Sequence, residues 1–254
     1  MNVSHFSMQS ILKKDLGYRA FKKQKNHGLT SKTITERVIR SRLLLKTHAG
    51  HNIIFSDEKL FTLEETLNKQ DDRIYGTCIR DITAVKRTVE RYQNASAVMV
   101  WRATSVKEKI SLFFLDKGVK INKENYLEHV FQGHLKPYAK KLFGNDSFCF
   151  QHDSPPAHKA SIFQKWCNVL LLFFISASEW PASSPYLNPL DFCIWGYMLE
   201  KLGDVKHLHL DGFKKRLLKI WDEMLDEVVR AACNDFQKRL RAVIKCKGER
   251  FEIN

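Results

Sequence analysis

Three aspartates stand where carboxylates could act together. Asp57 closes the apolar run Ile53-Ile-Phe-Ser-Asp57, Asp153 closes Ser147-Phe-Cys-Phe-Gln-His-Asp153, and Asp191 follows Pro189 by two residues. Short apolar runs of this kind read as buried strands, which places Asp57 and Asp153 where strands emerge. Asn188 is a good helix cap and Pro189 suits the first helical position, which places Asp191 in a first turn. In an open α/β sheet, strand ends and helix starts meet at one edge, and ligands bind there. Three carboxylates converging on that edge repel one another unless a cation neutralises them. Hard oxygen ligands select Mg2+, with Mn2+ as its substitute. Two such ions about 4 Å apart can activate an attacking oxygen and stabilise a leaving one on phosphorus. Each residue also has a plainer reading: Asp191 as a dipole-favoured helix start, Asp153 as a turn residue, Asp57 as a solvated strand end beside Glu58 and Lys59.

The elements that must position these residues are legible from periodicity. Ile53–Asp57, Ala97–Trp101 and Ile110–Leu115 predict three strands. A helix follows over 122–142, with Tyr126, Val130, Phe131 and Leu135 at helical spacing. Ser147–His152 predicts the next strand, and Pro155-Pro156 opens a helix to about Cys167. Val169–Ile175 predicts the last strand. Three strands, helix, strand, helix, strand argues an α/β sheet covered on both faces. The carboxyl-terminal part is helical: Pro189 to Leu202 with Gly203 as stop, Asp211 as the cap of a helix to Leu225, and a long helix ended by Gly248. That last helix places Val229, Ala232, Phe236, Leu240 and Val243 on one face. At the amino end, Ser7 to Gly17 predicts a short helix, and Ser31 to about His48 a second, with residues 26–32 between them.

The chain has 254 residues, 44% hydrophobic and 28% charged, which is ordinary globular composition. Wholesale disorder and a coiled-coil rod are excluded. The longest apolar run, Val169–Ile175, is far short of the roughly 20 residues of a spanning helix, so no membrane partner is expected. Residues 1–17 contain no apolar core of a secretory signal. The net charge is +14, and residues 1–50 hold 11 basic and 2 acidic side chains. Such a basic end suits a polyanion, most often nucleic acid, or else is a solvated tail. Lys13, Lys14, Arg19, Lys22, Lys23 and Lys25 are the candidate phosphate contacts. The six cysteines, at 78, 149, 167, 193, 233 and 246, show no metal or disulfide spacing and read as reduced thiols.

Four blocks carry a resemblance. Ile54-Phe-Ser-Asp-Glu-Lys59, Val98-Met-Val-Trp101, Gln151-His-Asp-Ser-Pro-Pro-Ala-His158 and Trp180-Pro-Ala-Ser-Ser-Pro-Tyr-Leu-Asn-Pro-Leu-Asp191 resemble, in order, the blocks of mariner-superfamily transposases. The Trp180–Asp191 block is the most specific. The resemblance implies an RNase H-like core with a mixed five-stranded sheet flanked by helices. It implies that Asp57, Asp153 and Asp191 are the catalytic triad, binding two Mg2+ ions. The 37 residues between Asp153 and Asp191, with Asp as third member, are similar to one branch of the superfamily. His158, five residues after Asp153, is a secondary candidate for positioning the scissile phosphate, or a surface histidine. Tyr186 stands where an acidic residue is usual, Pro155 where alanine is common, and Arg102 where a small residue is usual.

The resemblance further implies cut-and-paste transposition: hydrolysis of a phosphodiester at the transposon end, then attack of the freed 3′-hydroxyl on target DNA. It implies duplex DNA as partner, both transposon ends and target, a homodimer, and a nuclear location. Residues 1–50 are expected to be a remnant of a helix-turn-helix DNA-binding region and linker, and 51–254 the catalytic domain with its carboxyl-terminal helices. Family members begin with about a hundred residues of DNA-binding region, so the expectation is an amino-terminally truncated member. The rivals are a catalytically silent DNA-binding relic or domesticated interaction protein, and an RNase H-like nuclease acting on RNA–DNA hybrids. The hybrid nuclease leaves the Trp180–Asp191 block unexplained.

Overall fold

The computed structural model describes residues 10–18, 28–63, 96–110, 112–115, 133–144, 146–152, 173–203 and 209–251. The chain divides into two compact units, Met1–Thr30 and Ser31–Asn254. In the first, a single π-type turn, Ile11–Asp15, is closed by the Leu16 N–H on the Ile11 carbonyl. Gly17, at φ +63°, stops it where the sequence predicts. Lys13 and Lys14 are exposed on this turn.

The second unit is built on a five-stranded sheet in the order β3-β2-β1-β4-β5. The strands are β1 (Asn52–Thr62), β2 (Ala97–Thr104), β3 (Phe113–Leu115), β4 (Phe148–His152) and β5 (Phe173–Ile175). β1, β2 and β3 form an antiparallel meander, while β4 and β5 run parallel to β1. This mixed sheet is the one expected of an RNase H-like core. The helices are α1 (Ser31–Thr47), α2 (Lys136–Phe143), α3 (Trp195–Leu202), α4 (Leu210–Glu223) and α5 (Asp226–Lys245).

Alternation along the strands sends successive side chains to opposite faces, and each face is covered. Ile53, Phe55, Val98, Val100 and Cys149 pack with Leu44 of α1, Met198 of α3, Leu217 of α4 and Phe236 of α5. Ile54, Trp101, Ala103 and Phe150 pack on the other face with Leu135, and with Ala139 and Phe143 of α2. Each large apolar side chain so buried contributes roughly 1.5–3 kcal/mol. Antiparallel pairing of β1 with β2 runs from Phe55↔Thr104 to Thr62↔Ala97.

Three expectations need correction. β1 does not end at Asp57 but continues to Thr62, because β2 goes on pairing with it after β4 has stopped. Asp57 is therefore mid-strand, at the first position where β1 has lost its β4 neighbour. Asp211 is not a cap: His209 occupies that position with an extended backbone, and Asp211 lies in the first turn of α4. The third predicted strand is shorter than expected, with only Phe113–Leu115 paired to β2. The helix predicted over 155–167, and the first part of that over 122–142, lie outside the described residues.

Candidate active site

The site is assembled by β1, the last residue of β4 and the helix start before α3. Asp57 sits on β1 with only 8% of its surface exposed. A carboxylate that far from water needs polar partners. One comes from Trp195, whose indole N–H donates to Asp57 Oδ2 at 2.6 Å. On β4, His152 pairs with Ser56, the residue before Asp57. Asp153 is the next residue in the chain and lies outside the described residues, as do His158, Arg19, Lys22, Lys23 and Lys25.

Asp191 lies in the first turn of a π-type turn, Leu190–Ile194, that runs directly into α3. That turn packs against β1. Asn188 starts it as the sequence predicts: its side-chain oxygen accepts from the Leu190 N–H at 3.1 Å. Its carbonyl accepts from the Phe192 N–H at 3.1 Å. The same side chain donates its amide to the Ser56 carbonyl at 3.3 Å. Asn188 thus ties the start of the Asp191 helix to the residue preceding Asp57.

The loop leading to Asn188 is held from two sides. Arg40 of α1 donates to the Trp180 carbonyl at 2.9 Å, and Arg239 of α5 donates to the Tyr186 carbonyl at 3.0 Å. The Trp180 ring stacks on Phe236 at 5.9 Å. The proline- and serine-rich stretch from Trp180 to Pro189 is thereby a rigid approach to the helix start. Tyr186, which stands where an acidic residue is usual, lies under the Arg37 guanidinium at 5.0 Å.

Arg102 is the cross-strand partner of Asp57, so both lie on the same face of the sheet. It is fully buried, donates to the Ile110 carbonyl at 3.2 Å and stacks over the Trp221 ring. Burial holds its pKa well below the usual arginine value. Its Nε and Nη1 have no hydrogen-bond partner among the described residues.

Among the described residues no three His, Cys, Asp or Glu side chains gather as a metal site, and Asp153 is not among those residues. The two described carboxylates, Asp57 on β1 and Asp191 in the turn that packs against β1, are hard oxygen donors of the kind that suits Mg2+ or Mn2+ rather than a softer ion. Among the described residues a thiol nucleophile finds no support. Cys149 is buried against His48 Nδ1 at 3.3 Å, and burial, then the Glu179 charge, pushes its thiol up to about 12. Cys233 is likewise pushed up to about 12, chiefly by burial.

Two participants escaped the sequence reading. Trp195 is core and also the donor to Asp57. Asn188 was expected as a cap; its link to Ser56 was not. The available signal for Trp195 was its spacing, four residues after Asp191, which puts both on one helix face.

No protein-family model matches the chain. It is 26% identical over 209 residues to the Tc3 transposable-element transposase of Caenorhabditis elegans, a match spanning 80% of this chain and 59% of that protein. It is 26% identical over 152 residues to the Tcb1 transposase of Caenorhabditis briggsae, spanning 60% of this chain and 53% of that one. The chain thus spans little more than half the length of these curated relatives. Among solved structures, the Mos1 transposase paired-end complex with the left transposon end superposes with a TM-score of 0.81 at 19% identity, covering 98% of this chain and 72% of that one. The Mos1 paired-end complex with Mn gives the same TM-score at 18% identity, with the same coverage. The chain is thus similar in sequence to the Tc3 and Tcb1 transposases and shares its fold with Mos1 transposase.

Proposed function

We propose that this chain carries the catalytic core of a cut-and-paste DNA transposase, with Asp57, Asp153 and Asp191 as its triad. The observation that carries the reading is the double tie between β1 and the Asp191 helix. Asn188 binds the Ser56 carbonyl and Trp195 binds the Asp57 carboxylate, three residues before and four after Asp191. A fold that needed Asp191 only as a helix-start charge would have no use for that precision. Kinship with two transposases, and the DNA-end and Mn complexes of Mos1, support the same reading.

Bound at these carboxylates, two divalent cations would supply Lewis-acid stabilisation of charge on the phosphoryl oxygens and a lowered pKa for the attacking oxygen. The chain's own part is to hold the ligands. β1, paired on both sides at Phe55 and Ser56 and with β2 beyond them, holds Asp57, and the capped turn holds Asp191. In the first step a water oxygen bonds to phosphorus and the bond from phosphorus to the 3′-oxygen breaks. The water's proton leaves to solvent and the 3′-oxygen is protonated. In the second, that 3′-hydroxyl oxygen bonds to a target phosphorus and displaces the target's own 3′-oxygen. No covalent protein–DNA bond is needed. The unit Met1–Thr30 is proposed as the stretch that engages DNA through Lys13, Lys14, Arg19, Lys22, Lys23 and Lys25; α1 packs in the sheet core, so the catalytic domain is drawn from Ser31 rather than residue 51. A homodimer pairing two ends, and a nuclear location, belong to the same proposal.

The test compares a duplex DNA substrate with an RNA–DNA hybrid of the same sequence, in Mg2+ and in Mn2+. Cleavage of the duplex, lost by about three orders of magnitude in each of Asp57→Asn, Asp153→Asn and Asp191→Asn, is expected. Cleavage confined to the hybrid would replace the transposase reading with a hybrid nuclease.

A further inference from the structure

Trp195 has more reason to be tryptophan than packing requires. It is 2% exposed and meets Phe61 edge-on at 5.8 Å. Met198, Leu190 and Ile194 belong to the same core cluster. A phenylalanine would satisfy that apolar neighbourhood. What it lacks is the indole N–H, which donates to Asp57 Oδ2 at 2.6 Å. Indole nitrogen is a donor only, so its partner must be an acceptor, and an ionised carboxylate accepts at several sites. A bond to a charged acceptor at this length is of the strong kind.

Both ends of the bond are anchored in secondary structure. Asp57 is on the central strand of the sheet. Trp195 begins α3, whose approach is fixed by the Asn188 cap and its Ser56 link. The bond therefore sets the rotation of the Asp57 carboxylate rather than following it. We propose that Trp195 is the positioning residue of Asp57: its indole N–H holds Oδ2 and so sets the orientation in which the carboxylate meets a divalent cation. This rests on the triad reading above. Groups that orient a metal ligand in this way are worth about 10- to 100-fold in metal affinity.

The test is Mn2+ binding to the full chain, by titration calorimetry or electron paramagnetic resonance, alongside the Tm of the metal-free protein. Trp195→Phe keeps the aromatic packing and removes only the donor. The expected result is a 10- to 100-fold weaker Mn2+ affinity with a Tm that falls much less than that of Trp195→Ala. A folded Trp195→Phe that binds Mn2+ within twofold of wild type overturns the inference and leaves the triad reading standing. A wild type that binds no Mn2+ overturns both. Should Trp195→Phe not fold, the wild type answers alone. The Trp195 indole 1H–15N resonance should shift on adding Mg2+ and stay put in Asp57→Asn; a resonance that ignores Mg2+ in the wild type overturns the inference.

Discussion

Glu179 shows what one half-buried carboxylate does here. One of its oxygens accepts from the Ser176 backbone N–H at 2.9 Å and the Ser176 hydroxyl at 2.7 Å, while the other lies 3.8 Å from His48 Nε2. On its other side His48 meets Cys149 of β4. One carboxylate therefore joins the loop after β5, the end of α1 and β4. His48 is the largest cause of its depressed pKa, about 2, with the Ser176 bonds adding to it and burial opposing. A carboxyl group held below its ordinary value of 4.5 stabilises the fold above that pH, and the stabilisation disappears as pH falls through about 2. Glu179→Gln should lower the Tm at pH 6, and the deficit should shrink towards zero between pH 4.5 and pH 2. A deficit that stays constant over that range would show the contact to be uncharged. Nothing in the sequence marks this trio, because His48, Cys149 and Glu179 are far apart in the chain and follow no local pattern. The proposed triad is marked by local signals instead: Asp57 and Asp153 each close an apolar run, and Asp191 follows the Asn188-Pro189 helix start.

Elements were read well where one local rule decides them. α1 begins at Ser31, α3 stops at Gly203 with φ +57°, and α5 buries the residues its periodicity names. The misses come from partners that no local rule contains. β1 extends past Asp57 because β2 pairs with it, and the π-type turn after Asn188 leaves no trace in hydrophobic spacing. Such turns recur at functional sites, and this one carries Asp191. The close of α5 on α1 is a second long-range feature. Gly248 sits at φ +85°, its N–H donates to the Val243 carbonyl, and a Cβ there would overlap the Ile34 carbonyl of α1. Gly248→Ala should cost at least about 1–2 kcal/mol for the left-handed backbone alone, more if α1 must shift. Urea unfolding measures it; a loss under 0.5 kcal/mol, an outcome typical of surface changes, would contradict both the left-handed backbone at Gly248 and the close approach of α1.

At the scale of the molecule, charge and chemistry sit in different parts of the sequence. The +14 net charge is concentrated in residues 1–50, whereas the described aspartates belong to the sheet and the helix start beside it. Lys13 and Lys14 are exposed, which suits phosphate contact. Neutralising both as Lys13→Ala/Lys14→Ala should weaken binding to duplex DNA of any sequence. The slope of log K against log salt should become shallower by about 2, close to 0.9 per released phosphate contact. An unchanged slope would remove these two from the DNA interface. Similarity to the Tc3 transposase spans 209 residues and the sheet draws its strands from residues 52–175, whereas the proposed bond chemistry rests on three carboxylates.

The most direct test of that chemistry is nicking of supercoiled plasmid in Mn2+, comparing wild type with Asp153→Asn. It needs no recognition of a transposon end, so it isolates the catalytic core. The prediction is metal-dependent nicking by the wild type and its loss in the folded variant. Equal nicking by both proteins, or none by a folded wild type that still binds DNA, would contradict the triad as the seat of the reaction.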